Sequence, residues 1–100
     1  MTQEEQFARA LDGALRQQRE HGLREPKRFL AAAQKHGALA ALKEQLRRHQ
    51  TSENFEELAE KRLLRLAPEA LVVSKKHGAL FSDEEADFCL QVLLEAGYFG

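Results

Sequence analysis

The chain has 100 residues, 43% of them hydrophobic and 31% charged, and a formal net charge of −1 at pH 7. A chain of this length buries somewhat over about 60% of the surface that its unfolded form exposes, which predicts one globular domain over residues 1–100 and disfavours disorder. The near balance of charges excludes a strong overall attraction to nucleic acid or anionic lipid.

Cysteine usage and hydropathy favour a soluble cytoplasmic protein. Cys89 is the single cysteine, which excludes an intrachain disulfide framework and a cysteine-rich zinc site. No run of about 18 apolar residues is present to span a membrane. The sequence begins MTQEEQF, which is acidic where a signal peptide is basic and then apolar.

Apolar residues recur at spacings of three and four, and extended alternating runs of β-branched residues are missing. This pattern predicts an all-α fold, a compact bundle of about six short helices. Thr2 and Glu5 form a capping box that predicts the start of the first helix, and Gly22 predicts its end.

The second and third predicted helices are separated by one glycine. The second has Pro26 in its first turn and ends at His36, where Gly37 stops it, and the third follows almost immediately. The last turn of the third helix carries cations that suit the negative end of the helix macrodipole. These residues are Arg47, Arg48 and His49.

Two further helices are predicted between residues 51 and 78. Thr51 and Ser52 are expected to cap a fourth helix that continues to about Leu64. Pro68 is expected to start a fifth helix that finishes at His77.

The sixth predicted helix is the most hydrophobic. Ser82 and Glu85 form a second capping box at its start, and Gly97 closes it. Cys89 lies between Phe88 and Leu90 in this helix, so we expect it to be an inert part of the core.

The pentapeptide KHGAL occurs twice, at residues 35–39 and 76–80. Each copy falls where a helix opened by proline is predicted to end, so we interpret it as a helix stop signal with Gly37 and Gly78 in left-handed conformations. The stretch EHGL at residues 20–23 also has a glycine at a predicted helix end, so we interpret it as a third stop signal of the same kind. A solenoid is disfavoured, because it needs about three repeats and this chain has room for barely two.

No pattern typical of an active site is present, and we predict a protein that is not an enzyme and needs no cofactor or metal. The four histidines show no spacing of four residues that would bring two onto one ion. The acidic residues of the fourth predicted helix are typical of a solvated helix face; they are Glu53, Glu56, Glu57 and Glu60. Ser52 and Ser82, which could otherwise act as nucleophiles, are assigned to helix caps. A glycine-rich phosphate loop is missing.

Two basic groups and two terminal aromatic residues are the candidate contact residues. Tyr98 and Phe99 are expected to dock on the core of the domain or, as the less favoured alternative, to complete an interface with a partner. The basic residues could contact nucleic acid, although the interleaved acidic residues oppose phosphate binding. The full set is Arg47, Arg48, Lys61, Arg62, Arg65, Tyr98 and Phe99.

The order of features from ENFEELAEKRLLRL to PEALVVSKKHGALFSDEEADFCLQVLLEAGY resembles a small helical module of uncharacterised bacterial proteins. The likeness covers roughly residues 26–98 and is most specific at residues 69–98, although Ala67 and Pro68 replace a more β-branched entry. The resemblance implies an all-helical fold. It also implies a link to bacterial defence or mobile elements, because some carriers accompany restriction-type nucleases.

Taken together, these features predict a domain that acts by binding another protein, as an adaptor or a small inhibitor, and that is a monomer or a homodimer. The alternative is a DNA-binding transcriptional regulator, which would use the basic residues.

Overall fold

A computed structural model describes residues 2–99, and the all-α prediction is confirmed: this part of the chain contains six α-helices and no strand. The domain measures 32 × 27 × 25 Å. The helices are α1 (Gln3–Glu20), α2 (Lys27–His36), α3 (Ala38–Arg47), α4 (Phe55–Glu60), α5 (Pro68–Val72) and α6 (Asp83–Glu95), with short 3₁₀ turns at Leu64–Leu66 and Gly78–Leu80.

Both predicted capping boxes are confirmed. The backbone N–H of Glu5 donates to Oγ1 of Thr2 over 3.1 Å, and that of Glu85 donates to the Ser82 hydroxyl over 3.2 Å. The glutamate of each pair accepts a bond from the backbone N–H of its cap residue. These bonds satisfy N–H groups that a helix leaves unpaired, so they fix the starts of α1 and α6.

Gly37 joins α2 to α3 without any intervening loop. It has φ 90° and ψ 153°, a conformation that is open essentially to glycine alone. Its N–H donates to the carbonyl of Ala33 over 2.7 Å, and its own carbonyl accepts from Ala41 over 3.0 Å. One residue therefore ends one helix and begins the next, as predicted for the first KHGAL copy.

The EHGL stretch also ends a helix as predicted. Gly22 has φ 85° and donates to the carbonyl of Arg19, while Leu23 donates back to Gln18 over 3.0 Å. This pair of bonds is the Schellman motif, in which the residue after the glycine folds onto the helix. Leu23 is accordingly buried.

The prediction for the second KHGAL copy is wrong. The fifth helix ends at Val72 rather than at His77, and Gly78 starts a 3₁₀ turn without a positive φ. The physical reason is tertiary: the His77 ring is buried and meets the buried Phe7 ring edge-on, with 5.3 Å between the ring centroids.

The predicted cap and length of the fourth helix are also wrong. The helix begins at Phe55 after Asn54 and ends at Glu60, short of Leu64. Neither Thr51 nor Ser52 caps it, since no side chain accepts a hydrogen bond from its first N–H groups. Ser52 is held by Glu69, to which its hydroxyl donates over 2.9 Å.

The core has two parts, and Val73 packs against both. The first surrounds Phe7, Leu42 and Cys89, and the second surrounds Leu58, Leu64 and Leu93. Burial of Cys89 confirms its predicted place in the core.

No helix within residues 2–99 combines the length and the apolar character needed to cross a bilayer.

Candidate protein-contact surface

The exposed face of α6 carries large apolar side chains that nothing covers in the described part of the chain. Leu94 is 57% exposed and Phe99 is 52% exposed, and Leu90 and Tyr98 are exposed as well. Residues four apart lie on one side of a helix, so Leu90 and Leu94 share a face. Tyr98 and Phe99 follow the end of α6 at Glu95. We call the set Leu90, Leu94, Tyr98 and Phe99 the C-terminal stripe.

The two terminal aromatic rings pack against each other rather than on the core. Their centroids are 5.0 Å apart in an edge-to-face arrangement. Gly97, with φ 81°, ends α6, and Tyr98 donates back to the carbonyl of Leu93 over 3.0 Å. The backbone is thus held in place, with Phe99 52% exposed and Tyr98 37% exposed. Phe99 therefore does not dock on the core as expected, whereas most of the surface of Tyr98 is covered. Their role in an interface remains a prediction.

Arg62 and Arg65 lie beside one end of the C-terminal stripe. Together with Tyr98 they line an open depression of about 570 Å³. Neither arginine forms an ion pair within residues 2–99, and both are exposed. The structure therefore brings three of the seven predicted contact residues together.

The other three basic candidates are paired with acidic neighbours on their own helices. Arg47 and Arg48 both bind Glu44, the latter over 3.1 Å between Nε and Oε1. Lys61 lies 3.4 Å from a carboxylate oxygen of Glu57. Exposed pairs of this kind contribute little to stability, but they cancel the local positive charge that phosphate binding needs.

A second and larger depression, of about 750 Å³, lies between α2, α3 and α6. His49 lines it with φ 55°, which is unusual for a residue with a Cβ, and its ring stacks on Phe88 with 5.4 Å between centroids. Sequence reasoning treated His49 only as a cation at a helix end. His49 occupies the position after the end of α3 at which a Schellman motif usually has glycine. A non-glycine residue at this position is the signal in the sequence that could have singled it out.

Glu69 and Cys89 are the buried groups with catalytic potential, and neither is accessible. Glu69 has no exposed surface; desolvation raises the pKa of its carboxyl, although hydrogen bonds from Ser52 oppose that shift. Burial, together with the nearby charge of Glu69, raises the pKa of the Cys89 thiol, which keeps it protonated and unreactive. Sequence gave no sign that Glu69 is buried, because an acidic residue in a first helical turn is ordinarily solvated.

His77 is the third buried titratable group. Burial, and then the charge of Lys76, lowers the pKa of its imidazole. Its Nδ1 has no hydrogen-bond partner among the described residues. Within residues 2–99, no three His, Cys, Asp or Glu side chains are grouped so that they could hold a metal ion.

No family model, curated protein or solved structure matches this chain.

Proposed function

We propose that this protein is a non-enzymatic protein-binding domain and that the C-terminal stripe is its contact surface. The observation that supports this is that, of the five exposed large apolar side chains among residues 2–99, four fall within residues 90–99. Full burial of a leucine contributes about 1.5–3 kcal/mol, and covering the remaining exposed surface of Leu94, which is 57%, gains roughly half of that. An apolar cluster rimmed by charge is typical of surfaces that bind proteins.

The arginines at the rim define the chemistry of the partner. Arg62 and Arg65 have no ion-pair partner within residues 2–99, so a carboxylate on a bound protein can approach either one without displacing another acid. The surface therefore favours a partner that presents apolar side chains beside acidic ones.

DNA binding is the weaker proposal. Three of the five basic candidates are paired with glutamates, and the formal net charge is −1. Specific DNA binding depends on several unpaired cations that displace counterions from phosphates.

An adaptor and a small inhibitor would both use such a surface in the cytoplasm of a bacterium. The resemblance of residues 26–98 to a module that accompanies restriction-type nucleases or mobile elements favours the inhibitor.

Affinity capture from a bacterial lysate with three baits tests the proposal. The baits are the wild-type protein, Leu94→Glu in the C-terminal stripe, and Leu30→Glu on α2 as the matched control. Leu30 is also exposed but lies apart from the stripe. We expect proteins that the wild type and Leu30→Glu retain and Leu94→Glu loses, with all three baits equally helical by circular dichroism.

Equal retention by all three baits would count against the stripe as the contact surface. Submicromolar, salt-sensitive binding of the wild type to a defined DNA duplex would favour the regulator instead.

A further inference from the structure

We propose that the C-terminal stripe binds a second copy of this chain, with the two α6 helices antiparallel about a two-fold axis. This inference rests on the proposed function and names one partner for the same surface. It follows from the distribution of charge along the stripe.

The exposed face of α6 changes from acidic to apolar along its length. Asp83, Asp87, Leu90 and Leu94 are all exposed and follow one another at spacings of four, three and four residues, so they lie on one face of the helix. At a rise of about 1.5 Å per residue, Asp87 lies roughly 10 Å before Leu94 along the axis. Two acidic residues thus precede the leucines of the C-terminal stripe on this face, and its two aromatic residues follow them in the chain.

The charges at the two ends have opposite sign. Asp83 and Asp87 form no ion pair within residues 2–99, and neither do Arg62 and Arg65 beside Tyr98. Asp83 is in the first turn of α6, where the helix dipole favours an acid. Asp87 lies one turn further along α6, where the effect of the dipole has faded. The dipole therefore does not explain why an acidic residue stands at this position.

A two-fold axis makes this surface complementary to itself. In an isologous contact each copy presents the same patch, and residue i of one copy meets residue j of the other twice. If the axis passes between Leu90 and Leu94, the leucines of the two copies face each other. Asp87 of each copy then lies opposite the Tyr98 end of the other, where Arg62 and Arg65 are. A parallel arrangement would place like charges together.

The contact is small, so the dimer should be weak. Four large side chains on each copy are fewer than a standard interface supplies, and we expect dissociation in the range of tens of micromolar. Light scattering coupled to size exclusion should show a mass that rises from 11.4 kDa toward twice that value as the loaded concentration increases. The rise should disappear for Leu94→Glu and persist for Leu30→Glu.

Charge reversal separates the antiparallel dimer from any other association through the leucines. One variant carries Arg62→Glu and Arg65→Glu, and the other carries Asp83→Lys and Asp87→Lys. Each alone places like charges at both contacts and should dimerise at least tenfold more weakly than the wild type. An equimolar mixture of the two restores opposite charges at both contacts, so dimers should return.

The matched control reverses an exposed ion pair on α1, Asp12→Lys with Arg16→Glu, whose side chains lie 3.0 Å apart. This control should dimerise like the wild type, and circular dichroism should show that the Asp83→Lys variant keeps α6.

A wild-type mass that stays at 11.4 kDa up to millimolar concentration would overturn the dimer. It would leave the proposed function intact if Leu94→Glu still loses proteins from the lysate. A dimer that resists both charge-reversed variants would overturn the antiparallel arrangement.

Discussion

The two copies of KHGAL have identical sequences and different structures. In the first copy, Gly37 has a positive φ and joins two helices, and the preceding His36 is exposed. In the second, His77 is buried against Phe7, and Gly78 begins a 3₁₀ turn with ordinary backbone angles. The glycine determines the conformation in one copy, and the histidine determines it in the other.

The energies of the competing effects explain the difference. A cation at the end of a helix contributes a few tenths to about 1 kcal/mol, and a glycine cap is of similar size. Burying an apolar side chain in a core contributes more, about 1.5–3 kcal/mol, although the unpartnered Nδ1 of His77 offsets part of that gain. A short sequence signal therefore specifies the backbone only where no neighbouring core residue competes for its side chains.

The largest expected effect separates the two histidines. His77→Ala leaves a space beside Phe7 and should lower the free energy of unfolding by roughly 2 to 3 kcal/mol, whereas His36→Ala should change it by less than about 0.5 kcal/mol. Chemical denaturation followed by circular dichroism measures both. Similar losses for the two variants would mean that His77 does not pack in the core.

The glycines should show the opposite order, with a smaller effect. Alanine at Gly37 meets no atom within 4 Å, but the positive φ is strained for any residue with a Cβ, and we expect a loss of about 1 to 2 kcal/mol. Alanine at Gly78 meets neither obstacle and should raise stability by about 0.5 kcal/mol, since it restricts the unfolded chain.

The same denaturation measurements test this reversal. A loss at Gly78 as large as that at Gly37 would restore the interpretation of both copies as one stop signal.

Local signals predicted most of the fold. Capping boxes at Thr2 and Ser82 and the stop at Gly37 depend on neighbours within four residues, and all three are confirmed. The predicted cap at Ser52 is wrong because the Ser52 hydroxyl donates to Glu69, 17 residues away. A sequence does not show whether a hydroxyl accepts from a nearby backbone N–H or donates to a distant carboxylate.

The candidate surface was predicted in part for the same reason. Tyr98 and Phe99 stood out because they are aromatic residues after a helix stop. Leu90 and Leu94 did not stand out, because a helix that is apolar on several sides does not reveal which side its neighbours cover. Whether Arg62 has an acidic neighbour likewise depends on the fold.

The smallest expected effect is a dependence of the unfolding free energy on pH that arises from His77. Burial holds the pKa of folded His77 below its unfolded value of about 6.5. As the pH falls through 6.5, the unfolded chain takes up a proton that the folded chain does not. The stabilising contribution of neutral His77 is therefore present above pH 6.5 and is lost on acidification toward the folded-state pKa.

Glu69 acts in the opposite direction, because its raised pKa makes stability fall as the pH rises above about 4.5. Because the two groups act in opposite directions, the slope of stability against pH in the wild type alone does not isolate His77. Its contribution is measured by comparing the wild type with a variant that lacks this histidine. We expect the unfolding free energy of the wild type to fall more steeply between pH 7 and pH 5 than that of His77→Phe, which cannot titrate. Denaturation curves at half-unit intervals of pH measure both, and equal slopes for the wild type and His77→Phe would show that the buried histidine is not the titrating group.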